Sequence, residues 1–69
     1  MNYESNLARY NAINCNNQLF VLTRERYSIT VNKLQSCRDP VKVIQYKAIL
    51  NSLDRILEMF LNIEFPSTN

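Results

Sequence analysis

The chain has 69 residues, a net charge of +2, and no glycine, histidine or tryptophan. Without histidine there is no imidazole base, no Ser–His–Asp triad and no imidazole metal ligand; without glycine there is no Gly-rich phosphate loop. The composition therefore points away from an enzyme and from a cofactor or metal protein, while 46% hydrophobic and 20% charged residues argue against disorder.

Residues 3–36 carry two apolar stripes. Ile13, Phe20, Tyr27 and Leu34 repeat every seven residues, with Tyr3, Tyr10, Asn17, Arg24 and Val31 at the companion position. A second stripe runs Ala8, Ala12, Cys15, Leu19, Leu22 and Ile29, with a gap at Arg26. A helix apolar on two faces is buried on more than one side. Residues 3–36 are read as one long helix or as a helix broken at Asn14, Asn16 and Asn17, which are better caps than helix interiors. The alternative is a β-hairpin over 19–31, where Tyr27-Ser28-Ile29-Thr30-Val31 alternates, although its turn lacks Gly, Asn and Pro.

The segment Ser36-Cys37-Arg38-Asp39-Pro40 marks a boundary. Asp39 suits a helix N-cap, and Pro40 suits the first helical position because its missing N–H has no partner there anyway. Tyr46, Ile49, Leu53, Ile56, Phe60 and Ile63 then recur at alternating spacings of three and four, and Val43, Leu50, Leu57 and Leu61 widen the stripe. This predicts a helix from Pro40 to about Glu64, stopped by Pro66, with 65–69 as a frayed tail.

The fold class expected is all-α: an antiparallel helical hairpin in a single small domain, 1–69. If the chain reverses near residue 38, Ile13 faces Ile63, Phe20 faces Ile56 and Tyr27 faces Ile49. The expected core is then Ile13, Phe20, Tyr27, Leu34, Tyr46, Ile49, Leu53, Ile56, Phe60 and Ile63. Residues 1–11 form an overhang or partner-binding arm. Tyr3, Leu7 and Tyr10 on that arm, together with Leu19, Leu22 and Ile29, are the expected partner-binding residues. A chain of roughly 60 residues buries only about 60% of its unfolded surface, and oligomerisation is one common remedy.

Charge is uneven. Residues 1–47 hold seven of the eight Lys/Arg against Glu4, Glu25 and Asp39, whereas 48–69 hold Arg55 against Asp54, Glu58 and Glu64. Arg24, Arg26, Lys33, Arg38, Lys42 and Lys47 gather around the expected turn, a candidate contact for phosphates or an acidic protein. Asp54 and Glu58 share a helix face at i, i+4 and read as a solvated pair offset by Arg55. Cys15 and Cys37 read as reduced thiols rather than a disulfide framework. The polar N-terminus lacks an apolar leader, and the longest uncharged run, 10–23, is too short and too polar to span a bilayer. A soluble, intracellular (cytoplasmic) protein is expected.

Asp39-Pro40-Val41 followed by Leu50-Asn51-Ser52-Leu53-Asp54-Arg55-Ile56 resembles the small helical-hairpin aspartyl-phosphate phosphatases of sporulation control. Their second helix carries a Ser-Gln-Glu-Leu-Asp motif. Leu53 and Asp54 match it; Leu50, Asn51 and Ser52 stand where Ser, Gln and Glu belong, and the glycine usual before that helix is missing. The resemblance implies that Asp54 acts on a partner's phosphoaspartate. The residue patterns themselves favour an interaction module, an adaptor, assembly subunit or inhibitor that docks apolar helix faces on a second copy or a larger protein. A nucleic-acid-binding regulator using the basic region is the alternative.

Overall fold

The computed structural model describes residues 2–64. Three helices follow in order: α1 (Tyr3–Asn11), α2 (Gln18–Ser36) and α3 (Pro40–Glu64). No strand occurs among the described residues, so the hairpin alternative for 19–31 is replaced by helix. Pro66 and the expected tail lie outside the described residues.

Side-chain caps set the helix starts. The Asn2 side-chain carbonyl accepts from the Ser5 N–H at 3.2 Å. Asn17 accepts from the Leu19 and Phe20 N–H groups at 2.9 and 3.3 Å. Asp39 accepts from Val41 N–H at 3.0 Å, one residue after Pro40. Each cap satisfies an N–H that has no partner inside its helix. Of the two forms expected for 3–36, the broken one is present, because Asn17 starts a new helix instead of continuing the old one. Neither connection needs glycine: no residue in the described chain has positive φ, and Cys37 leaves α2 in an extended conformation.

The carbonyls at the end of α1 find an unusual partner. Arg24 Nη1 donates to the Tyr10 and Ile13 carbonyls, both at 3.2 Å. The same guanidinium lies over the Phe20 ring, 5.3 Å from its centroid. Arg24 is thereby part of the fold and not of the basic contact expected for it.

The core is Tyr10, Phe20, Tyr27, Val31, Leu50 and Leu57. Tyr3, Leu7, Ile13, Cys15, Leu34, Leu53, Phe60 and Leu61 pack around it half-buried. The Tyr10 and Tyr27 rings meet edge-to-face at 5.4 Å, as do Phe20 and Phe60 at 6.2 Å. Edge-to-face geometry sets the positive ring edge against a negative ring face.

Three expectations are corrected here. Tyr10, expected on a partner-binding arm, is fully buried, because the break after α1 lets that helix fold back and lay Tyr10 on Tyr27. Tyr3 and Leu7 likewise pack against the core rather than standing clear of it. Ile49, Ile56 and Ile63, expected in the core, are 44%, 41% and 72% exposed. The buried face of α3 is centred on Leu50 and Leu57, roughly a fifth of a turn from the expected stripe. The cause is α1: α3 must face two helices, so its buried side is centred between them. Phe20 accordingly meets Phe60, one helical turn beyond Ile56. Tyr46 is half-buried on the edge of this face.

Candidate interaction site

Two kinds of surface stand out: a buried polar junction between α1 and α3, and apolar stripes left open on α2 and α3.

The junction is built around Asp54, which lies on α3 between Leu50 and Leu57 and is only 8% exposed. The expectation of a solvated Asp54 is therefore corrected. Its Oδ1 accepts from Tyr10 Oη at 2.8 Å and from Asn6 Nδ2 at 3.4 Å. Tyr10 Oη also lies 3.1 Å from Glu58 Oε1, but one hydroxyl proton serves one acceptor at a time, and the shorter contact is to Asp54. Arg9 pairs with Glu58, and Arg9 Nη2 lies 3.4 Å from Tyr10 Oη. Tyr3 Oη donates to Asn51 Oδ1 at 2.7 Å. Among the described residues, two buried atoms, Tyr27 Oη and Asp54 Oδ2, make no hydrogen bond of normal geometry, although Asn6 and Asp54 stand close to the Tyr27 hydroxyl.

Electrostatics follow from this burial. Burial first, and the Asp54 carboxylate second, push the Tyr10 phenol well above its ordinary pKa of 10.0. Burial, with Asp54 again nearby, does the same to Tyr27. Both hydroxyls therefore stay protonated into the alkaline range, beyond the pH at which a free phenol ionises, and Tyr10 serves Asp54 as a donor. The arrangement clasps α1 to α3. It does not present Asp54, the residue singled out by the phosphatase resemblance, to an incoming partner. Among the described residues, no three His, Cys, Asp or Glu side chains converge in a way that could hold a metal ion. No described helix is long and apolar enough to cross a membrane.

The open surfaces are the reverse in character. On α2, Leu19, Leu22 and Ile29 are 59%, 52% and 51% exposed, and Arg26 and Lys33 are exposed in line with them. On α3, Val41, Ile44, Ile49, Ile56, Met59 and Ile63 are exposed. Ile56, Met59, Phe60 and Ile63 line a shallow depression of about 190 Å³. Contiguous exposed apolar surface of this kind marks interaction sites. Arg38 and Lys42 are exposed at the connection between α2 and α3. Cys15 and Cys37 are half-buried free thiols.

The sequence reading missed Asn6, Asn51 and the structural role of Arg24. It also missed Asp54 as a buried group, although a signal existed: position 54 falls at helical spacing from Leu50, Leu57 and Leu61, inside the set that widens the α3 stripe. In comparison with known proteins, no family model matches the chain, and neither does any curated protein or solved structure.

Proposed function

We propose that this chain is a small helical interaction module. In this reading α2 and α3 form an antiparallel hairpin, α1 completes a three-helix unit, and the open α3 stripe docks on a second copy of the chain. The three-residue connection at 37–39 and the Phe20–Phe60 contact support the antiparallel arrangement.

One observation carries the interaction reading. Ile49, Ile56 and Ile63 repeat every seven residues along α3 and remain exposed, with Met59 beside them. Seven-residue spacing keeps side chains on one seam of a helix, the pattern by which helices pair. Burying one such side chain fully contributes about 1.5–3 kcal/mol. Lys42, seven residues before Ile49, stands on the same seam at its N-terminal end and Arg55 flanks it, but the seam from Ile49 to Ile63 itself carries no charge, so the desolvation of charge on pairing is confined to one end.

Light scattering tests the reading. The wild-type chain is expected at twice its 8.1 kDa mass in the high micromolar range. Ile56→Glu, which places a charge on the seam, is expected to give a helical monomer. A wild-type chain that stays monomeric at every concentration overturns the second copy as occupant of this stripe.

A further inference from the structure

The stripe on the solvent side of α2 differs from that on α3, and its charge says what would cover it. Leu19, Leu22, Arg26, Ile29 and Lys33 succeed one another at spacings of three and four and are all exposed. Two cations stand in the same line as three large apolar side chains, with only Glu25 as an acidic flank. Arg26 and Lys33 are separated by two helical turns, about 10.5 Å at 1.5 Å per residue. Among the described residues neither is paired with a carboxylate: the one ion pair there is Arg9 with Glu58.

We infer that this α2 face docks an acidic amphipathic helix from another protein. Its carboxylates, seven residues apart, meet Arg26 and Lys33, and its apolar side chains cover Leu19, Leu22 and Ile29. A second copy of the chain does not fit here. Pairing α2 with α2 sets Arg26 and Lys33 against their own equivalents, and pairing α2 with the α3 stripe brings Arg55 towards them. A lipid surface fits less well, because interfacial helices carry their cations on the polar face opposite the apolar one, whereas here the cations interrupt the apolar line. The inference rests on the interaction-module reading but uses a different helix face from the proposed second-copy contact.

The probes are two synthetic amphipathic peptides of about 18 residues, long enough to form helix on binding. They share one leucine seam; one carries glutamate at two positions seven apart, the other lysine at the same positions. Titrations are followed by amide shifts of the labelled full-length chain. The glutamate peptide is expected to bind, with shifts confined to α2, and the lysine peptide to bind about tenfold or more weakly, since exposed ion pairs are individually modest and like charges repel. Arg26→Glu with Lys33→Glu is expected to reverse the preference, which distinguishes charge recognition from generic stickiness. Equal binding of both peptides, absence of binding, shifts that fall on α3, or retention of the chain on phosphatidylserine vesicles without peptide binding each overturn the inference. If the peptides fail while the wild-type dimer persists, only this inference falls; if the dimer is absent as well, the underlying reading falls with it.

Discussion

Helix α3 makes two internal contacts of opposite character. Towards α2 it offers Phe60, which meets Phe20, with Leu50 and Leu57 filling the core beside them, and the contact is ring and methyl packing. Towards α1 it offers Asn51, Asp54 and Glu58, and the contact runs through tyrosine hydroxyls, an amide and a guanidinium. The first is non-directional and scales with the apolar area removed from water. The second is directional, and a nine-residue helix such as α1 has little propensity to form alone. Apolar packing therefore carries most of the stability, and the polar junction fixes where α1 lies.

The comparison breaks most sharply at the α2–α3 contact. Leu57→Ala deletes a fully buried side chain and is expected to cost about 2–5 kcal/mol. A chain of this size holds roughly 0.05–0.15 kcal/mol of stability per residue, so this one change removes much of the total. Urea unfolding followed by circular dichroism checks it; a midpoint close to wild type contradicts the placement of Leu57 in the core.

A finer test separates the two buried tyrosines. Tyr10→Phe keeps the ring against Tyr27 but removes the donor to Asp54, leaving that carboxylate with the longer Asn6 contact. The expected cost is about 1–3 kcal/mol, the penalty for stranding a buried acceptor. Tyr27→Phe removes a hydroxyl that makes no hydrogen bond of normal geometry, although Asn6 and Asp54 lie close to it, so it is expected to cost less than Tyr10→Phe. Equal losses in the two variants contradict the hydrogen-bond assignment around Asp54.

Much of this architecture was legible from residue patterns, for physical reasons that differ by region. The extent of α3 followed from an Asp-Pro start and a sustained helical period. The helical character of 18–36 followed from heptad spacing, and Phe20 and Tyr27 were placed correctly in the core. The rotation of α3 was not legible, because it depends on α1 folding back, and a two-helix register test has no place for a third helix. Asp54 was misplaced because a carboxylate at a core spacing looks solvated until its partners, Tyr10 and Asn6, are brought from more than forty positions away. Arg24 looked like a free cation for the same reason: its acceptors are the carbonyls at the end of α1.

A separate effect is expected in alkaline solution, and it reads the polar junction without removing an atom. In both buried tyrosines the folded-state pKa lies above the ordinary value of 10.0. Above that pH the unfolded chain releases phenolic protons that the folded chain still holds. The folded state then binds more protons, so stability falls as pH rises. The contribution is fully present below pH 10 and is lost above it, at a slope approaching about 1.4 kcal/mol per pH unit for each tyrosine. Urea midpoints taken between neutral pH and about pH 11 should therefore be flat at first and then decline. Tyr27→Phe removes one of the two titrating phenols, so its decline should be about half as steep. Tyr10→Phe should flatten the slope similarly while starting from a lower plateau, because it alone also breaks the bond to Asp54. If wild type and both variants decline in parallel, the two phenols are not buried in the fold, and the polar contact between α1 and α3 fails with them.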